Sequence, residues 1–248
     1  MRIAALYDIH GNLPALEAVV RDVLAAQVDL VVVGGDVLPG PMVREPLDLL
    51  LGLPVPVAFL QGNGDREVLA QLRGEGSATL PAVVLDTIRW CGQQLTPEHE
   101  SAIGAWPATV RVAVPGVGDV LFCHATPRND TEVFTRETPE SVLLPVFGGT
   151  GAALVVCGHT HMQFDRMIGG VRVVNAGSVG MPFGAAGACW LLLQPELRLR
   201  RTAYDLERAA ERIRATAYPQ GDVFALDNVL HPPTEGEMLT RLGGMALR

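Results

Sequence analysis

The first seventy residues alternate short apolar runs with stretches of helical periodicity. Ile3–Tyr7 reads as a strand. Asn12 then looks like a helix cap with Pro14 in the first turn, and Leu13, Leu16, Val19, Val20, Val23 and Leu24 recur at helical spacing. Leu30–Val33 is a second strand closed by two glycines, a short helix over Arg44–Leu51 follows, and Val55–Leu60 is a third strand. This β-α-β-α-β rhythm predicts parallel strands with helices on their faces.

The rhythm then changes. Gly74–Pro107 carries weak helical signals and reads as an insertion beside the core. From Val110 onward the pattern predicts antiparallel β structure: Val110–Val114, Val120–Cys123, Leu154–Cys157, Gln163–Ile168, Val171–Val174, Ala188–Leu193 and Arg198–Ala203. Gly169-Gly170 suits a hairpin turn. Asp205–Ala217 is an amphipathic helix, and the last thirty residues read as a tail wrapped over the domain or partly loose. The expected organisation is one domain over 1–205, with the insertion at about 74–107, and a C-terminal helix and tail over 206–248 packed on it.

Composition narrows the functional classes. The chain has 248 residues and a formal net charge of −8, which argues against non-specific nucleic-acid binding. All 19 basic residues are arginine, so lysine-dependent chemistry is excluded. The four cysteines are widely spaced, the start of the chain lacks a signal-peptide pattern, and no apolar stretch reaches membrane-spanning length. A reduced, cytoplasmic protein without a membrane partner is expected, its oligomeric state open.

The chemistry-bearing residues fall at the ends of apolar runs. Asp8 and His10 follow the first strand, Asp36 the second, and Asn63 and Asp65 the third. His124 follows Val-Leu-Phe-Cys, and His159 and His161 follow Leu-Val-Val-Cys-Gly. In parallel α/β sheets, ligands bind beyond the carboxyl ends of strands. An i, i+2 spacing in extended backbone points both side chains of a pair to one side, so Asp8/His10 and His159/His161 can each reach one cavity. Leaving Asp65 aside, two aspartates, one asparagine and four histidines are too many for one tetrahedral ion and suit two ions sharing a carboxylate. Mixed imidazole and carboxylate donors favour manganese, iron, zinc, cobalt or nickel over magnesium or calcium.

These segments resemble the signature of the calcineurin-like metallophosphoesterases, small bacterial phosphodiesterase type. D-x-H, G-D, G-N-x-D, a histidine after a strand and G-H-T-H all occur in order between Asp8 and His161, and Asn175–Gly180 resembles the stretch that follows. The resemblance covers about residues 1–205. It implies an α/β fold, a four-layer sandwich of two mixed β-sheets flanked by helices. It implies two divalent transition-metal ions, manganese first, one held by Asp8, His10, Asp36 and His161 and the other by Asp36, Asn63, His124 and His159. A hydroxide shared by the metals would hydrolyse a phosphodiester or phosphomonoester, with a small nucleotide-type substrate foremost. Asp36, Asn63 and Asp65 are the catalytic candidates, and Asn12, Asn63, Arg66 and Arg128 the candidate substrate contacts. Many relatives carry histidine where this chain has Gly64, which removes a general acid and favours activated leaving groups. On that basis Gly64→His is expected to help poor leaving groups most. The competing expectation is a non-catalytic metal-binding scaffold on the same fold. His99 and His231 are read as surface or tail residues. A serine-hydrolase reading of Ala176–Gly180 fails because Gly-Met-Pro-Phe-Gly cannot start the helix a nucleophile elbow needs.

Overall fold

A computed structural model describes residues 1–76, 80–194, 196–245 and 247. Positions 77–79 of the expected insertion, and 246 and 248 of the expected tail, lie outside the described residues. The chain begins as β1 (Ile3–Leu6), α1 (Leu13–Ala25), β2 (Leu30–Val33), α2 (Arg44–Leu51), β3 (Val57–Phe59) and α3 (Asn63–Leu72). Asn12 caps α1 by accepting from Ala15 N, with Pro14 in the first turn. The insertion region folds as α4 (Ala82–Gln94) and α5 (Pro97–Gly104), which pack on α3. Then come β4 (Thr109–Val114), β5 (Gly118–Cys123), α6 (Glu140–Phe147), β6 (Leu154–Cys157), β7 (Phe164–Ile168), β8 (Val171–Asn175), β9 (Ala188–Gln194) and β10 (Glu196–Thr202). The tail forms α7 (Leu206–Arg214), a short α8 (Gly221–Phe224) that runs into a π-helical turn at Ala225–Leu230, and α9 (Glu235–Gly243).

The strands make two mixed five-stranded sheets, ordered β10-β9-β1-β2-β3 and β4-β5-β6-β8-β7. Alternation along each strand builds four layers. In β1, Ile3 and Ala5 face the second sheet and meet Phe122, Val156 and Val174. Ala4 and Leu6 face the other way, onto Leu16, Val19 and Val23 of α1. In β6, Val155 and Cys157 turn outward onto Leu143 and Phe147 of α6. Both faces of the central strands are therefore buried, which is why they read as continuous apolar runs.

Two expectations are corrected. The region after Val110 is not uniformly antiparallel: β6 runs parallel to both β5 and β8. Parallel neighbours need a crossover, and α6 belongs to the one between β5 and β6. The sequence pattern hid α6 because Pro145 interrupts it and apolar residues fill most of it. His99 is not a surface residue. It is buried, completes the capping box that Thr96 opens on α5, and lies 2.8 Å from Asp48 Oδ1.

The tail is anchored. Ala209, Ala210 and Ile213 of α7 pack with Leu13, Met42 and Phe224, and Met238 and Leu239 of α9 pack on Met162. Among the described residues, no helix is long and apolar enough to cross a membrane.

Candidate metal centre

The turns after β1, β2, β5 and β6, together with the start of α3, meet at one end of the two sheets. They bring seven side chains together. Asp8, His10 and His161 form one group and Asp36, His124 and His159 another, the ligand-capable atoms of each lying within 4.8 Å of one another. Asp36 Oδ2 stands between the groups, 3.7 Å from His10 Nε2 and 3.5 Å from His124 Nε2. The inward end of the Asn63 amide is 3.0 Å from both His124 Nε2 and His159 Nδ1.

The physical route to this convergence differs from the one the spacing suggested. Asp8, His10, Asp36, His159 and His161 all have positive φ, between 46° and 66°. Extended backbone does not aim these pairs; left-handed turns do. Non-glycine residues are uncommon there and such strain gathers at functional sites. Close packing of glycines sets the turns. A Cβ on Gly158 would stand 2.5 Å from Asp8 Oδ2. One on Gly64 would stand 2.4 Å from Leu38 O and 3.0 Å from Asp36 Oδ1.

Backbone carbonyls orient the imidazoles. Pro39 O, Gly34 O and Met181 O lie 3.2, 2.9 and 2.8 Å from Nδ1 of His10, His124 and His161. Thr131 O lies 3.2 Å from His159 Nε2. A carbonyl only accepts, so each of these ring nitrogens is the N–H and the other presents its lone pair or a second proton inward. His10 Nε2 and His161 Nε2 face each other at 3.3 Å. Asp8 Oδ1 is buried without a hydrogen-bond partner, 3.4 Å from His161 Nε2. An inward Asn63 oxygen meets two acceptors, His159 Nδ1 at 3.0 Å and Asp130 O at 3.1 Å. Buried acceptors that face one another without donors are destabilising unless cations lie among them. The residues therefore fit two cations.

The electrostatics agree. Burial alone would raise Asp8, but His161 and His124 outweigh it and hold its carboxyl below the usual range. The same contest, with His124 and His10 facing it, holds Asp36 far down. Burial opposes charge on His124, yet Asp36 and Asp8 push its imidazole up to about 10. Burial and neighbouring His124 push His159 down to about 4.

The remaining candidates divide. Asp65 does not face the cluster. Its carboxylate accepts from Asp36 N (2.8 Å), Gly62 N (3.1 Å) and Leu38 N (3.0 Å), tying the turn that carries Asp36 to the start of α3. Burial and the Asp36 charge push it up to about 7. Asn12 is fully buried, and its amide donates to Gly180 O and Tyr204 Oη besides capping α1. It is a structural tie and is closed to a substrate. Arg66 and Arg128 do line a cleft of about 300 Å³ beside His124, each held by an acid, Asp130 and Glu132 respectively. The sequence reading passed over the braces: Ser178 Oγ donates to Asp8 O and accepts from Met181 N, both at 2.7 Å, and Asn175 Nδ2 donates to Gly158 O at 2.6 Å. The Asn-Ala-Gly-Ser run was their signal.

Comparison with known proteins agrees with this geometry. Residues 1–196 match the model of the calcineurin-like phosphoesterase superfamily domain. The chain is 25% identical over 238 residues to the uncharacterized protein MJ0912 of Methanocaldococcus jannaschii, covering 88% of this chain and 94% of that one. Its structure is similar to that of a metallophosphoesterase from Sphaerobacter thermophilus, with TM-score 0.72, 25% identity, and 92% and 98% of the two chains covered. It is also similar to the hypothetical protein PH1004 from Pyrococcus horikoshii OT3, with TM-score 0.79, 18% identity, and 94% and 99% covered. With its first 196 residues matched and its sheets paired like those of a metallophosphoesterase, this chain belongs to the calcineurin-like phosphoesterase superfamily.

Proposed function

We propose that the protein is a dinuclear metal-dependent phosphoesterase acting on a small phosphodiester or phosphomonoester of nucleotide type. The observation that carries this is Asp36 Oδ2, one carboxylate oxygen between two groups of inward-facing acceptors. Asp8, His10 and His161 would hold one ion and Asn63, His124 and His159 the other, with Asp36 shared. The donor set suits manganese first, and iron, zinc, nickel or cobalt also. Two such cations would polarise the phosphoryl oxygens and lower the pKa of water.

The chain's own groups do the rest. Five backbone carbonyls and amides around the imidazoles and Asp36 fix the ligands before substrate arrives. Arg66 spends Nε and one Nη on Asp130, which leaves N–H groups to hold phosphate oxygens in the cleft beside His124. Gly64 supplies no proton, and the packing around it admits no side chain that would. Substrates with good leaving groups are therefore favoured. A cytoplasmic location is part of the reading, from four free and buried thiols.

Hydrolysis of bis(p-nitrophenyl) phosphate with added Mn²⁺ tests this. Turnover that disappears in Asp36→Asn supports the enzyme. Bound metal with no turnover of any phosphoester would instead make the protein a scaffold.

A further inference from the structure

The candidate centre has a second cleft on its other side, which the proposed chemistry does not use. It measures about 340 Å³, within the range of small-molecule sites of about 300–1,000 Å³. Pro39, Val83, Val84, Tyr218, Val223 and Phe224 wall it. His10 lines it too, so it lies against the candidate metal centre. Val83, Val84 and Val223 are 48%, 36% and 51% exposed, unusual for a run of valines with no partner. Among the described residues lining it, none carries a carboxylate or a guanidinium. The cleft beside His124 holds Arg66 and Arg128 and has the opposite character.

Two amides break the apolar wall. Gln220 and Asn228 are half-buried, and neither side chain hydrogen-bonds a described residue. Asn228 lies in the π-helical turn, a distortion frequent at functional sites. An acyl chain in this cleft would leave both amides unpaired, at a cost in affinity. A flat, uncharged ring with donors and acceptors on its edge satisfies both the walls and the amides.

We propose that this cleft is a nucleobase subsite, so that the substrate is a nucleoside phosphoester straddling Asp36. The inference deepens the phosphoesterase reading and rests on it for the ester, but not for the base. The phosphate would lie toward the arginines and the base between α4 and the tail. The tail lies outside the stretch matched by the family model, so the base preference would belong to this chain and to relatives that share its tail.

The test is binding of adenosine and thymidine to the full chain without added metal, followed by saturation-transfer NMR and calorimetry. Saturable binding is expected, weakened at least about tenfold by Val223→Glu, which puts a charge against the ring. Leu226→Glu, similarly exposed but outside the cleft, should bind as the wild type does. Asn228→Ala should weaken the nucleosides while leaving benzyl alcohol, a ring without base edges, unaffected; this variant carries the test if Val223→Glu does not fold. No nucleoside binding to the wild type, undiminished binding in both cleft variants, or preference for an octyl chain would overturn the proposal. With Mn²⁺ added, the ratio of kcat/KM for thymidine 5′-(p-nitrophenyl phosphate) over methyl p-nitrophenyl phosphate should fall about tenfold in Asn228→Ala. Intact nucleoside binding with neither ester hydrolysed would sink the phosphoesterase reading and uphold the cleft.

Discussion

Gly64 is the position where structure reverses the expectation from sequence. The missing histidine suggested that Gly64→His would restore a general acid. The packing forbids it. A Cβ at Gly64 would lie 2.4 Å from Leu38 O, 2.8 Å from Pro39 Cδ and 3.0 Å from Asp36 Oδ1. Backbone oxygens do not yield as side-chain ends do, so the first turn of α3 must move by roughly 0.6 Å or more to reach tolerable contact. That turn carries Asn63, and Gly64 N donates to Asp36 Oδ1 at 2.7 Å. The displacement therefore falls on two candidate ligands. Alanine in place of glycine in a helix gains about 1 kcal/mol. Overpacking costs about 1–3 kcal/mol, so Gly64→Ala should lose up to about 2 kcal/mol. The larger effect is on the centre, where a shift near 1 Å can cost about 10²-fold in rate. Gly64→Ala should lower Mn²⁺-dependent hydrolysis of bis(p-nitrophenyl) phosphate by about 10- to 100-fold. Gly64→His should do worse with both good and poor leaving groups. Thermal unfolding and metal content measured on the same samples separate misfolding from ligand displacement. Full metal loading with undiminished turnover in Gly64→Ala would refute this reasoning, as would selective help to poor leaving groups in Gly64→His.

Two further outcomes follow from the same geometry. Asp65→Asn turns an NH₂ toward backbone N–H groups of Leu38 or of Asp36 and Gly62, which should cost about 1–3 kcal/mol. The unfolding midpoint should then fall about 2–4 °C per kcal/mol, and an unchanged midpoint would show that the carboxylate is not the tie described. Metal uptake should release protons. His124, pushed up to about 10, carries a proton at neutral pH in the cation-free protein, and a cation displaces it; His161 is also raised, by Asp8 against burial. These are raised imidazole pKa values, so the protonated form is favoured as pH falls and metal affinity falls with it. Calorimetry in buffers of different ionisation enthalpy should find at least about one proton released on metal uptake at pH 7, and no release would contradict the assigned protonation of His124.

How far the chain was legible from its residues depended on whether the signal was local. Asp8, His10, Asp36, Asn63, His124, His159 and His161 each close an apolar run, and strand ends gather at one edge of a sheet whatever the packing detail. Their convergence was therefore readable, although the reason offered was not the operative one. The positive φ values at five of them come from turns fitted against glycines and carbonyls of other segments, which no i, i+2 rule contains. Asp65 and Asn12 sit inside the right motifs, but which backbone groups claim their side chains is a tertiary fact. Likewise α6 was lost because a proline inside an apolar helix looks like a strand break. The cleft beside His10 joins α4, the tail and Pro39, which are far apart in sequence and share no periodicity.

The central proposition is that seven side chains close on two cations through Asp36. Anomalous diffraction from Mn²⁺-soaked crystals tests it most directly. The account predicts two manganese peaks, one among Asp8, His10 and His161 and one among Asn63, His124 and His159, both in contact with the Asp36 carboxylate. A single peak, or two with Asp36 touching only one, would contradict it.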